Sequence, residues 1–305
     1  MNDTYQKHFP VMLPEVLEHL NPRDGEVYVD ATFGNGGYSE AVLKKANCKV
    51  IAIDRDPTVL SRVQELKSVY GDRFDFKTGC FGNLSQLVTT PVDGFMFDIG
   101  VSSMQLDQAE RGFSFTKKAP LDMRMSCTGQ TAADLVNTLP EKELADLIYK
   151  YGEERKSRQI AAKIVTYRQN KTIETTTELA DIIYSVIHKV PHSIDPATRT
   201  FQALRIEVNH ELDELENGLK SAVSLLNSKG RIVVVSFHSL EDRIVKNFFR
   251  EQSGGNAHVS RYLPQNTFTQ PAILANVSKA ITPSQKELEI NPRSRSAKLR
   301  VAYKN

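Results

Sequence analysis

Between residues 28 and 56 an apolar run ends in an acid, Asp30, and a glycine turn follows at Gly34, Gly36 and Gly37. A helical stretch comes next, then a second apolar run ending in another acid, Asp54. A strand, a glycine turn, a helix and a strand closed by a carboxylate make the layout of a nucleoside pocket in a doubly wound α/β sheet. The rhythm continues. Residues 27–31, 49–54, 73–77 and 93–98 read as strands, residues 39–45 as a helix, and Pro57 opens the next helix, where its missing N–H is harmless. Such alternation predicts a Rossmann-like α/β fold with a parallel sheet and right-handed crossovers.

After residue 105 the rhythm stops. Residues 135–151, 158–168 and 177–188 carry apolar side chains at helical spacing, punctuated by Pro140 and Pro191. An amphipathic helix over 207–226 stops near Lys229 and Gly230, and a strand resumes over 231–237. A helix over 240–250 and a last strand over 297–303 complete the pattern. Residues 252–293, rich in Gly, Asn, Ser, Pro and Thr, read as long loops with one short strand. The expected organisation is a discontinuous sheet domain, 1–104 with 206–305, interrupted by a helical insertion, 105–205, that forms a lid or a wall for substrate recognition.

Composition excludes several classes. No run of about 18 apolar residues exists, so no membrane span is expected, and the polar N-terminus lacks a signal core. Cys48, Cys80 and Cys127 are odd in number and far apart, which fits neither a zinc site nor a disulfide framework but does fit a reducing cytoplasm. The net charge of +2 hides an asymmetry: residues 246–305 carry a net +7. Such a region suits phosphates, or is a solvated edge strand, and charge alone does not decide.

The turn is not the full dinucleotide fingerprint, because Ser39 stands where the third glycine belongs. Asp30, four residues before Gly34, would repel a pyrophosphate but suits a cation, which favours S-adenosylmethionine over NAD. Asp54 fits a ribose diol, and Phe81 either an adenine face or a place in the core. Asp98, closing the fourth strand in Asp-Ile-Gly-Val-Ser-Ser, can hold the protons of an exocyclic amine whose lone pair is otherwise delocalised.

Further motifs follow: Phe9-Pro10-Val11-Met12-Leu13, Glu110-Arg-Gly-Phe-Ser-Phe, Pro120-Leu-Asp-Met-Arg-Met, Tyr151-Gly-Glu-Glu-Arg, Pro196-Ala-Thr-Arg-Thr-Phe-Gln-Ala-Leu-Arg-Ile and Ser236-Phe-His-Ser-Leu-Glu-Asp-Arg. With the glycine turn and the Asp98 segment they resemble the bacterial ribosomal RNA small subunit methyltransferase H (MraW) family over nearly the whole chain. The resemblance implies S-adenosylmethionine as methyl donor and N4-methylation of a cytidine in small-subunit rRNA. On matching positions it implies cofactor contacts at Gly36, Gly37, Tyr38, Asp54, Phe81, Asp98 and Gln105. Tyr38 stands where the family usually has His, Met104 where Pro usually follows the serine pair, and Ile194-Asp195 where a His often precedes Pro196.

Asp98 is the expected catalytic residue. Asp122 either pairs with Arg124 or faces the target base. Arg124, Arg199 and His238 are candidate substrate contacts, and Arg111 and Arg205 either clamp phosphates or make salt bridges. No metal is expected, since no ligand spacing exists. The implied partner is small-subunit rRNA, free or in the assembled subunit, with no membrane, and a homodimer stays open. An NAD-linked oxidoreductase and a non-catalytic ribosome-assembly factor are the alternative classes. Asp30 argues against the first and the intact pocket residues against the second.

Overall fold

The computed structural model describes residues 10–191, 193–254 and 272–305. Seven strands form one sheet: β1 (Val27–Asp30), β2 (Lys49–Asp54), β3 (Phe74–Thr78), β4 (Val92–Asp98), β5 (Leu226–Ser236), β6 (Leu274–Ala275) and β7 (Lys298–Lys304). Their order is β3-β2-β1-β4-β5-β7-β6. Neighbours from β3 through β5 run parallel, and β7 is antiparallel to both β5 and β6. The winding reverses between β1 and β4, so a crevice opens beyond the C-terminal ends of these strands, where α/β sheets bind ligands. Asp30, Asp54 and Asp98 are the last residues of β1, β2 and β4.

The chain divides into two compact units, one of residues up to Gly100 together with those from Leu212 onward, the other Val101–Glu211. In the sheet unit, α1 (Leu13–Leu20), α2 (Gly37–Lys45), α3 (Leu60–Tyr70) and the one-turn α4 (Leu84–Leu87) alternate with the first strands. Central strands are apolar on both faces, as covered parallel strands must be: Phe95, Phe97, Ile232 and Val234 pack with Leu215, Leu219, Val245 and Phe249 in one core, and the alternate residues Met96, Val233 and Val235 are buried on the other face.

The helical unit contains α5 (Ser103–Asp107), α6 (Ala132–Thr138), α7 (Glu141–Gly152), α8 (Ser157–Arg168), α9 (Thr176–Tyr184) and α10 (Ala197–Asn209). Its own core joins Leu121, Met123, Leu144, Ile148, Ile160, Ile164, Leu179, Ile183, Phe201 and Leu204. Capping boxes begin α6 (Thr131 with Asp134) and α9 (Thr175 with Glu178), each satisfying two otherwise orphaned N–H groups.

The sequence-based boundaries need correcting. The single helix expected over 135–151 is two, because Leu139 before Pro140 is extended (ψ 139°) and a proline forces its predecessor out of helical geometry. The helix expected over 207–226 also breaks: His210 takes a left-handed turn (φ 50°) that ends α10, and α11 (Glu211–Leu225) starts after it. The helices α1 and α10 have no counterpart in the sequence reading. α12 (Ser239–Gln252) lies close to its expected place, and α13 (Gln285–Ile290) occupies part of the stretch expected to be loop. Residues 255–271 of that stretch, and Phe9 of the first motif, lie outside the described residues. In the basic C-terminal segment, Lys298 and Arg300 pair with Asp242 of α12, at 3.2 and 2.6 Å, and Lys304 Nζ donates to the Val223 and Leu226 carbonyls. Those three charges serve the strand's own seating.

Candidate active site

The sheet unit gathers three carboxylates at adjacent strand ends. Asp30 is buried. Its Oδ2 accepts from Ser39 Oγ at 2.7 Å and its Oδ1 from the Thr32 N–H at 3.3 Å. Burial, with the Asp54 charge adding to it, pushes this carboxyl up to about 6 despite those hydrogen bonds. Asp54 accepts the Gly34 N–H at 2.7 Å and the Asp56 N–H at 2.9 Å, one on each oxygen. Burial raises its pKa too. Two oxygens offer about four acceptor positions, so a diol can still be bound.

Asp98 differs from both. Its backbone N–H donates to Thr32 Oγ1 at 2.7 Å, which fixes the strand end. Its side-chain Oδ1 is shut off from solvent and has no hydrogen-bond partner. Burial first, then the charges of Asp30 and Glu241, push this carboxyl up to about 8. No Lys or Arg among the described residues pairs with Asp30, Asp54 or Asp98. A buried, unpaired carboxylate is costly unless a ligand completes it.

The glycine turn is shaped by the protein's own packing. Gly36 is left-handed (φ 71°) at the start of α2, and a Cβ there would lie 2.7 Å from the Phe33 ring. A Cβ on Gly37 would lie 2.3 Å from Pro10 Cγ. Tyr38 is buried, and its hydroxyl donates to the Val11 carbonyl. Tyr38 thus tethers the N-terminal segment to α2.

Phe81 follows β3 in a 3-10 turn and meets Phe97 edge to face, ring centroids 5.8 Å apart at 81°. Gly218 of α11 makes room for it, since a Cβ there would lie 2.8 Å from the Phe81 ring. Asp56 caps its own 3-10 turn through the Thr58 N–H and hydroxyl.

His238, expected to contact substrate, is the N-cap of α12. Its Nδ1 accepts the Glu241 N–H at 3.4 Å, and its Nε2 lies 2.9 Å from Glu241 Oε1. Glu241 Oε2 accepts the Phe237 and His238 N–H groups at 2.8 and 3.2 Å. The cap thus engages Nδ1, while Nε2 is buried without a hydrogen bond.

The other candidates belong to the helical unit. The Gln105 side chain accepts the Ser102 N–H at 2.9 Å while its own N–H caps on Ser102 Oγ. Asp122 and Arg124 form a two-pronged pair, Nε to Oδ1 at 2.9 Å and Nη2 to Oδ2 at 2.6 Å. Burial raises the Asp122 carboxyl, but the hydrogen bonds and charge of Arg124 outweigh it and leave the pKa lowered. Arg111 is buried and donates to the Arg124 and Met125 carbonyls, both at 3.0 Å. Arg205 grips Glu211 with two bonds of 2.8 Å. Arg199 is more open. It is about half exposed and touches the Glu153 carbonyl at 3.4 Å and Glu154 at 3.8 Å.

Sequence reasoning missed the supporting roles of Thr32 and Glu241. The only signal for Glu241 was its position three residues after a capping residue. The set at the strand ends, three acids without a cationic partner, one of them with an oxygen in want of a donor, fits a cationic nucleoside and not a pyrophosphate.

Residues 5–305 match the model of the MraW methylase family. The chain is 54% identical over 302 residues to ribosomal RNA small subunit methyltransferase H of Rhodospirillum rubrum, covering 96% of this chain and 93% of that one. It is 53% identical over 302 residues to the protein of the same name from Rickettsia massiliae, covering 97% and 98%. A solved rRNA methylase from Streptococcus thermophilus superposes loosely, with a TM-score of 0.41 at 12% identity over 96% of this chain and 93% of that one. The match to the family model along nearly the full length, with sequence identity above one half to curated relatives, makes this chain a member of the MraW methylase family.

Proposed function

We propose that the chain transfers a methyl group from S-adenosylmethionine to the N4 amine of a cytidine in small-subunit ribosomal RNA. The observation that carries the reading is Asp98: a strand-end carboxylate with a shielded, unpartnered oxygen, in a methylase. When bound, S-adenosylmethionine supplies an electrophilic methyl group on a sulfonium whose bonding electrons leave with sulfur. Asp54 would hold the ribose hydroxyls and Phe81 the adenine face, with the backbone of Gly36, Gly37 and Tyr38 along the amino-acid end. Asp98 would accept a hydrogen bond from the N4 amine and so oppose delocalisation of its lone pair into the ring. A carboxyl poised near neutral pH suits the proton that the amine must lose. In-line placement supplies most of the remaining acceleration. Alkylation by a sulfonium needs no Lewis acid, so the reading assigns no role to a metal.

In the helical unit, the half-exposed Arg199 suits an rRNA phosphate. Gln105 is assigned as a cofactor contact by family likeness, and Asp122 and Arg124 as base and substrate contacts by their chemistry, and the present hydrogen bonds of all three would have to open for those roles. No helix of the described residues is long and apolar enough to cross a membrane. A cytoplasmic enzyme acting on the subunit or its rRNA, as a monomer or homodimer, fits this. The test is nucleoside mass spectrometry of small-subunit rRNA, naked and assembled, after incubation with the protein and methyl-labelled S-adenosylmethionine. Label in N4-methylcytidine is expected. Label only in 5-methylcytidine, or none in either substrate, would overturn the reading.

A further inference from the structure

Helix α1 runs antiparallel to the parallel strands. Its last residue, Leu20, lies beside Gly94 near the start of β4, where a Cβ would come 2.9 Å from Leu20 Cδ1. At its other end, Val11 meets the Tyr38 hydroxyl and Pro10 meets Gly37, both at the start of α2 and hence beyond the end of β1. At about 1.5 Å per residue, Glu15 stands about 7.5 Å along the axis from Leu20, toward the ligand edge of the sheet. Its Oε2 is shut off from solvent and has no hydrogen-bond partner.

Four acids bear on the buried Tyr38 hydroxyl: Asp98, Asp30, Glu287 and Glu15. Two of them are occupied. Asp30 accepts from Ser39 and Thr32, and Glu287 Oε1 accepts the Met12 N–H at 3.2 Å. Asp98 Oδ1 and Glu15 Oε2 are the shielded oxygens left without a donor. A shielded carboxylate oxygen that lacks a donor gives up hydration without recompense, so the two together ask for a compact cation carrying several N–H donors. The diol and adenine positions, Asp54 and Phe81, close β2 and follow β3, on the other side of β1. What then falls near α1 is the opposite end of the nucleoside ligand, its amino-acid end.

We propose that Glu15 is a cofactor-binding residue, its carboxylate taking the α-ammonium group of S-adenosylmethionine together with Asp98 Oδ1, which leaves the other Asp98 oxygen to the target amine. This inference builds on the methyl-donor reading above. It explains why the N-terminal segment is fastened over the glycine turn through Pro10 and the Val11–Tyr38 hydrogen bond: the fastening sets the first turn of α1, and Glu15 with it, over the pocket.

The test is calorimetric titration of the full chain and of Glu15→Gln with two probes. One is S-adenosylhomocysteine. The other is its deaminated analogue, which keeps the carboxylate and loses only the ammonium. Glu15→Gln should weaken S-adenosylhomocysteine roughly tenfold, in line with loss of a hydrogen bond between charged groups, and leave the analogue unchanged. Glu15→Asp should recover part of the loss. Equal weakening of both probes, or of neither, would overturn the assignment. Failure of the unaltered chain to bind S-adenosylhomocysteine at all would instead sink the methyl-donor reading itself.

Discussion

The acids of the two units live in opposite electrostatic worlds. In the sheet unit Asp30, Asp54 and Asp98 stand at strand ends with no cationic partner, and all three carboxyls are shifted upward. In the helical unit Asp122 faces Arg124, Asp195 faces Lys189, and Glu178 pairs with Lys171, and all three are shifted downward. The second arrangement is self-sufficient, with each charge neutralised inside the fold. The first is incomplete, and incompleteness at a strand end marks a ligand site. The sheet unit also has a self-sufficient acid, Asp242 in the first turn of α12, paired with Arg300 and Lys298 of β7. The contrast therefore follows whether a cation of the protein reaches the acid, not unit membership.

Removing the most incomplete acid gives the largest effect. Asp98→Ala should lower the methyl-transfer rate about a hundredfold or more, the scale of a lost acid–base partner, while melting at or above the temperature of the unaltered protein. A single-turnover assay beside a thermal melt checks both. Unchanged turnover would remove Asp98 from the chemistry, and a large drop in melting temperature would make it structural. Asp54→Ala comes next. S-adenosylhomocysteine should bind at least about tenfold more weakly, since a carboxylate's hydrogen bonds to a diol are charge-assisted. An unchanged dissociation constant in calorimetry would place the ribose elsewhere.

Protonation sharpens the comparison without mutation. Carboxyls at about 6 and about 8 in the folded chain lie above the unfolded value near 3.9, so between about pH 4 and pH 8 the folded state holds more protons. The stability these two groups contribute is full below about pH 4 and is lost as pH rises through 6 and then 8. Ligand-free protein should therefore melt lower at pH 8.5 than at pH 5.5, and Asp98→Asn should flatten that slope. A cation binds the ionised forms, so affinity for S-adenosylmethionine should rise several-fold from pH 6 to pH 8. Affinity that falls over that range would mean that the cluster does not receive a cation.

How much of this could be read from the sequence depends on the range of the interaction. Asp30, Asp54 and Asp98 were visible because apolar strands of four to seven residues end on them, a pattern contained in each short segment. The helix α1 was missed although it is amphipathic: it is only eight residues long, and no side-chain N-cap marks its start. Glu15 on that helix acquires meaning only through Tyr38, 23 positions later. His238 was placed near the cleft because it follows a strand, yet local capping of α12 claims its Nδ1, and a one-residue reading could not weigh that. The break at His210 was missed because a left-handed residue that is not glycine leaves no compositional mark.

The smallest expected effect tests the self-sufficient side. Asp122 sits in Leu-Asp-Met-Arg, where sequence left two readings open, a salt bridge to Arg124 or a group facing the base. The two-pronged geometry satisfies both partners, and each stays about a quarter exposed, so solvent screening limits the pair's worth to about 1 kcal/mol. Asp122→Asn keeps the shape and removes the charge. It should cost about that much stability in a denaturant titration and leave turnover within a few-fold, because the strand-end acids are untouched. A loss of turnover comparable to that of Asp98→Ala, with stability intact, would break the comparison. Asp122 would then have to leave Arg124 when substrate arrives, and a charge that is paired at rest would belong to the chemistry after all.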